Sequence, residues 1–184
     1  VMLKGRLNTA PGERLYQRLD LKLGYSHERS NETYLGLSDT DFGNTPDRRY
    51  PSSAEDQMNL GRLQLSLSHS LALGDTLKLK TTVYRHDMKR SWFKLGGFRS
   101  GPSLSDVLAA PDSDGNRSYY QVLSGALDTP DADHALLVAD NARGLLVQGL
   151  QSVARTRFGG SGPVRHELSL GARIHQDSMD KKKI

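Results

Sequence analysis

Between residues 57 and 87, apolar and polar residues alternate in two runs, and a repeat of two is a pattern that only an extended strand can sort onto two faces. In the first run Leu63, Leu65, Leu67, Leu71 and Leu73 fall on one side, and Arg62, Gln64, Ser66, Ser68 and Ser70 on the other. His69 is the one polar residue among the leucines. In the second run Leu77, Leu79, Thr81 and Val83 oppose Lys78, Lys80, Thr82 and Tyr84. Leu73-Gly74-Asp75-Thr76 between them tolerates the positive φ of a tight turn, so the stretch is expected to be a β-hairpin. Its arms are longer than soluble strands usually are.

The same alternation recurs on both sides. Val1, Leu3 and Leu7 alternate with Met2, Lys4 and Arg6, and residues 8–12 supply a turn. Over residues 16–28, Leu19, Leu21, Leu23 and Tyr25 oppose Arg18, Asp20, Lys22, Gly24 and Ser26. Residues 145–158 carry two competing phases, Leu146, Leu150, Ala154 and Phe158 against Leu145, Val147 and Val153, which a bulge near Gly149 would reconcile. Gly159-Gly160-Ser161-Gly162-Pro163 reads as a short turn before a last strand over residues 164–175. Between these strands lie two long polar segments, residues 29–56 and a longer one from the Trp92-Phe93 pair to about Ala142, of a length that implies function or disorder. Within the second, Ser103-Leu104-Ser105-Asp106 is expected to cap a short helix over residues 107–110 that Pro111 ends.

Connections therefore run short, long, short, long, short, and every long one falls on the same edge of an antiparallel sheet. Outer-membrane barrels have that asymmetry, with strands of about ten residues that are apolar toward lipid and polar toward the lumen. Trp92-Phe93 at a strand end, with Tyr16 and Phe158 near the turns, sit where aromatic girdles would. The fold class expected is all-β, an antiparallel meander of about six strands forming part of a transmembrane barrel. A soluble β-sandwich, in which two apolar faces meet, is the alternative.

Composition agrees with strands whose second face is wet: hydrophobic residues are 36% of 184 and mean hydropathy is −0.58. The +4 net charge comes from 25 Lys and Arg interleaved with 21 Asp and Glu, a weak signature for nucleic acid, and none is expected as a partner. Without Cys there is no disulfide framework, thiolate metal site or cysteine nucleophile. The chain opens and closes at strands and carries no leader, so it is expected to be an internal piece of a longer protein. Asp39-Thr40-Asp41 and Asp112-Ser113-Asp114-Gly115-Asn116 lack the Gly and Glu positions of a calcium loop. The six His show no pair at metal-ligand spacing, and no Gly-x-Ser-x-Gly elbow is present, so neither a metal cofactor nor enzymatic activity is expected.

The run Ser30-Asn31-Glu32-Thr33-Tyr34-Leu35-Gly36-Leu37-Ser38-Asp39-Thr40-Asp41-Phe42, with Pro46-Asp47-Arg48-Arg49-Tyr50, resembles the first long loop of TonB-dependent outer-membrane receptors of the ferric-dicitrate type. Val83-Tyr84-Arg85-His86-Asp87, Arg90 to Leu95, Ser103 to Leu108, Asn141-Ala142-Arg143 and Gln148-Gly149-Leu150-Gln151 are similar in the same order. Leu145-Leu146 stand where that family would carry aromatic residues. The resemblance implies that residues 1–184 are part of a barrel of about 22 strands around a plugged lumen, with the plug and remaining strands absent. It implies a bacterial outer-membrane location, with lipopolysaccharide around the barrel, and import of a ferric citrate or siderophore complex driven by the TonB complex through the absent plug. An outer-membrane porin or enzyme barrel, or a soluble ligand-binding β-domain, are the other classes open.

Ferric citrate and many siderophore complexes are anionic, and Arg offers a planar fork of donors for carboxylate. Arg48 and Arg49, flanked by Tyr34 and Tyr50, are the candidate ligand-binding residues, with Arg117, Tyr119 and Tyr120 in the second loop as further candidates. The competing reading is that Arg48 and Arg49 hold their own loop together through Asp39, Asp41 or Asp47. Lys181-Lys182-Lys183 would lie at the level of lipopolysaccharide or serve solubility.

Overall fold

The computed structural model describes residues 1–159 and 164–183, with Lys182 and Lys183 described by backbone alone. Six strands, β1 (Met2–Asn8), β2 (Leu15–Asn31), β3 (Gln57–Leu73), β4 (Leu77–Phe98), β5 (Leu136–Phe158) and β6 (His166–Lys183), form one sheet in the order β1-β2-β3-β4-β5-β6. The chain is an all-β antiparallel meander. In β1 and β2 the register sets Leu3 opposite Leu23 and Leu7 opposite Leu19, and on the other face Lys4 opposite Lys22 and Arg6 opposite Asp20. Gly74, at φ +52, turns β3 into β4 as expected. Residues 160–163 of the expected turn after β5 lie outside the described residues.

Strand ends differ from the sequence expectation in one direction. β2 continues to Asn31, β4 to Phe98 and β6 to Lys183, and β5 begins at Leu136, so the second long connection spans only residues 99–135. Apolar alternation fades before backbone pairing does. From Arg85 onward polar pairs take over, such as Arg85 with Asp87 at 2.8 Å and the Ser91 hydroxyl donating to Asp140 at 2.8 Å. Trp92-Phe93 consequently lie inside β4 and not at a strand end, where a girdle was expected.

The chain divides into two compact units, the first made of Val1–His27, Gly61–Lys89 and Gly144–Asp180. On β3, which has a strand on each side, Leu63, Leu65 and Leu67 are 50%, 41% and 40% exposed, whereas Gln64, Ser66 and Ser68 are each less exposed and half-buried. Thr82 on β4 is buried and shares a 2.9 Å hydrogen bond with Ser68. Over Leu63–Ser68, β3 is thus wetter on its apolar side than on its polar side, the reverse of a strand in a water-soluble sheet, whereas on β4 Lys78 and Lys80 are exposed and Leu77 and Leu79 half-buried. Polar side chains on the apolar side are paired across strands: His69 Nε2 with Gln17 at 3.2 Å, Thr81 with Ser152 at 2.9 Å and Gln148 with Gln176 at 2.9 Å. In β5, Arg157 meets Glu167 of β6 at 2.8 Å on the polar side, and Leu150 is exposed on the other. Gly149 meets a steric need: Tyr84 Oη and the Ile174 carbonyl would each stand 2.6 Å from a Cβ there.

The second unit, Glu28–Leu60 with Arg90–Arg143, holds what the sequence reads as loops. They are folded. They hold helix α1 (Asp39–Asn44), a 3-10 turn (Pro51–Ser53), α2 (Leu104–Ala109) and α3 (Arg117–Ser124), and α2 and α3 pack with the end of β4 into a core of Leu95, Phe98, Val107, Val122 and Leu123. Ser38 and Ser103 cap α1 and α2 by accepting from the N–H groups of Asp41 at 3.3 Å and Asp106 at 3.2 Å. The Ser103 cap is the one expected from sequence, with the helix beginning three residues earlier than the 107–110 span. α3 ends on Gly125 at φ +76, where Pro51 would lie 2.9 Å from an added Cβ.

Candidate ligand-binding site

Asp41 is the polar centre of the second unit. Its Oδ2 accepts from Tyr50 Oη at 2.6 Å and from Tyr120 Oη at 2.5 Å, and its Oδ1 pairs with Arg48 at 3.1 Å. Asp41 and Tyr50 are buried, and the Tyr50 and Tyr120 rings meet edge-on at 6.0 Å. The hydrogen bonds from Tyr120 and Tyr50 outweigh burial and hold the Asp41 carboxyl below its ordinary pKa. Burial first, and then the bond to Asp41, push the Tyr120 phenol up. The network ties the first connection, through Asp41, Arg48 and Tyr50, to α3 of the second, through Tyr120.

Each residue expected to touch ligand therefore has a defined place. Arg48 pairs with Asp41 and lies over the Tyr50 ring at 5.3 Å. Arg49 turns its Nη2 onto the carbonyls of Glu32 at 2.6 Å, of Ser53, and of Asp56 at 3.5 Å, closing the base of the first connection. Tyr119 stacks on His134 at 4.0 Å and meets Phe98 edge-on at 4.7 Å. Arg117 donates to the Asp112 carbonyl at 3.0 Å. These contacts engage Arg48, Arg49, Tyr50 and Tyr120 within the unit, while the Arg117 side chain is exposed.

Tyr34 stands apart, 42% exposed, in a cluster that sequence reading did not assemble. Its ring meets Trp92 edge-on at 4.9 Å. Lys94 Nζ lies 5.1 Å from the Trp92 ring and 5.7 Å from Tyr34, and the Arg90 guanidinium lies 5.3 Å from Trp92. Burial, and then Glu32, push the Tyr34 phenol up. Arg90, Trp92 and Lys94 follow the two-residue period of β4, which continues past the strand end expected at Trp92-Phe93. Among the described residues neither Arg90 nor Lys94 is ion-paired, unlike Arg48. Two free cations framing two aromatic faces suit an anion with flat or apolar parts.

Fold and site together define an antiparallel meander with an exposed apolar face and a folded pair of long connections carrying an aromatic–cationic cluster. A search of protein-family models, of curated proteins and of solved structures finds no match to this chain.

Proposed function

We propose that this chain is part of the wall of a bacterial outer-membrane barrel that takes up an anionic ferric chelate, of the TonB-dependent kind its loop sequences resemble. The observation that supports this most is β3, an interior strand on which Leu63, Leu65 and Leu67 are more exposed than Ser66 and Ser68. Such a strand has a stable place between lipid and an aqueous lumen, and both long connections of the meander leave the same end of the sheet. On this reading Asp41, Arg48, Arg49, Tyr50, Tyr119 and Tyr120 give the connections their shape. Lys94, Arg90, Trp92 and Tyr34 then supply charge and stacking surface to the chelate.

Trp92 is the sole tryptophan of the chain, so its emission reports this cluster. The test is titration of the chain in lipid bilayers with ferric citrate, and with the diamagnetic gallium complex to separate quenching by iron from binding. A saturable change with both complexes, weakened roughly tenfold or more by Lys94→Gln, is expected. An emission that ignores both complexes, or that Lys94→Gln leaves unaltered, removes the chelate from the reading.

A further inference from the structure

We infer a second anion site, on the polar face of the sheet in the first unit, built for a multiply charged phosphate group. Its core is Lys4 of β1, placed directly opposite Lys22 of β2, with Lys80 of β4 lining the same cleft of about 410 Å3. Like charges placed opposite one another in a sheet destabilise it. No carboxylate relieves them: among the described residues none of the three lysines is ion-paired. The acid nearest in register, Asp20, is already used on both oxygens, by Arg6 at 2.7 Å and Arg18 at 2.8 Å. Ser66 and Ser68 add hydroxyl groups to the floor. A second cleft of about 540 Å3 shares Lys80 and adds Arg18, Lys78 and Arg155.

Ligand class follows from the donors. Ammonium groups are compact point charges that suit a phosphate, whereas the planar forks that match carboxylate belong to arginines of which Arg6 and Arg18 are already engaged. Cations continue from Lys4 and Lys22 through Lys80 to Lys78 and Arg155, so a chain of phosphates fits better than a single one. The inference uses the sheet face alone and stands apart from the chelate and its loop cluster.

Inorganic tripolyphosphate is the probe, measured by calorimetric titration of the full chain in zwitterionic detergent at low salt, with phosphatidic acid vesicles as the arm for a lipid headgroup. Saturable 1:1 binding of tripolyphosphate is expected, weakened at least about tenfold by Lys22→Gln or Lys80→Gln. Lys89→Gln, which removes a charge from β4 outside both clefts, is expected to leave it unchanged. Without the anion, Lys22→Gln is expected to raise the thermal midpoint, because it removes the repulsion at Lys4, and then to lose the further rise that tripolyphosphate gives the parent chain. Equal weakening by Lys89→Gln, binding confined to the vesicles, or a Lys22→Gln variant that still gains the full rise overturns the inference.

Discussion

Gly149 on β5 leaves the space that the Tyr84 phenol, reaching from β4, occupies: an added Cβ would stand 2.6 Å from Tyr84 Oη. From there the phenol oxygen accepts from Arg173 of β6 at 2.9 Å and bonds His175 Nδ1 at 2.7 Å. His175 Nδ1 also receives Arg173 Nη2 at 3.0 Å, which makes that nitrogen the acceptor and leaves Nε2–H to donate to Asp177 at 2.7 Å. One missing side chain thus lets a residue of β4 bond two residues of β6 across the strand between them.

Gly149→Ala is expected to destabilise the sheet by about 1–3 kcal/mol, the usual cost of overpacking. Removing the phenol as well, in Gly149→Ala with Tyr84→Ser, restores only part of it, because the Ile174 carbonyl is also 2.6 Å from the new Cβ and belongs to the backbone. Urea unfolding midpoints of the two variants in bilayers check both statements. Full recovery in the double variant would mean that the side chain alone fills the gap.

Asp41 makes the second unit sensitive to acid. Its folded-state pKa is depressed below an unfolded value of about 3.9, so its contribution is complete above that value and is lost as pH falls through the folded pKa. Hydrogen exchange of the α1 and α3 amides is expected to accelerate below about pH 4 while amides of β3 hold. Asp41→Asn removes this pH dependence and costs about 1–3 kcal/mol at neutral pH, since Tyr120 and Arg48 lose a charged acceptor.

Leu123 is fully buried in the core of the second unit, and Leu127, just beyond α3, is 39% exposed. Leu123→Ala is expected to cost about 2–5 kcal/mol and to expose the connections to limited proteolysis. Leu127→Ala is expected to stay within about 0.5 kcal/mol. Equal sensitivity of the two variants would contradict the core described.

The strands were legible because alternation at Leu63, Leu65 and Leu67 answers to a single physical demand, the sorting of apolar and polar side chains onto the two faces of a sheet. The folded connections were not, because their order comes from contacts distant in sequence. Asp41 meets Tyr120 across 79 positions, and Leu95 donates its N–H to Asp56 across 39. The Ser103 cap was readable, being local, while α1 carries a single apolar residue, Phe42, and α3 is only eight residues long with no side-chain cap at Asn116. Arg48 and Arg49 stand side by side in the sequence, and only the fold separates their tasks, one onto a carboxylate and the other onto carbonyls. Lys94 escaped notice because apolar alternation had faded before it.

The sharpest test of the sheet's environment lies in neighbouring residues. The chain has no cysteine, so single substitutions to Cys along residues 62–70 can be labelled without background. In bilayers, labels at Leu63, Leu65 and Leu67 are expected to be quenched by brominated lipid, and labels at Gln64, Ser66 and Ser68 by a water-soluble quencher. Energetics should follow the same period: Leu65→Lys costs about 2–4 kcal/mol if that face meets the bilayer midplane, against roughly 1 kcal/mol or less for Gln64→Lys toward the lumen. A soluble sandwich also penalises Leu65→Lys, but it hides both faces of β3 from lipid, so brominated lipid would quench none of the labels. Quenching that alternates with a period of two therefore requires a strand with lipid on one side and water on the other.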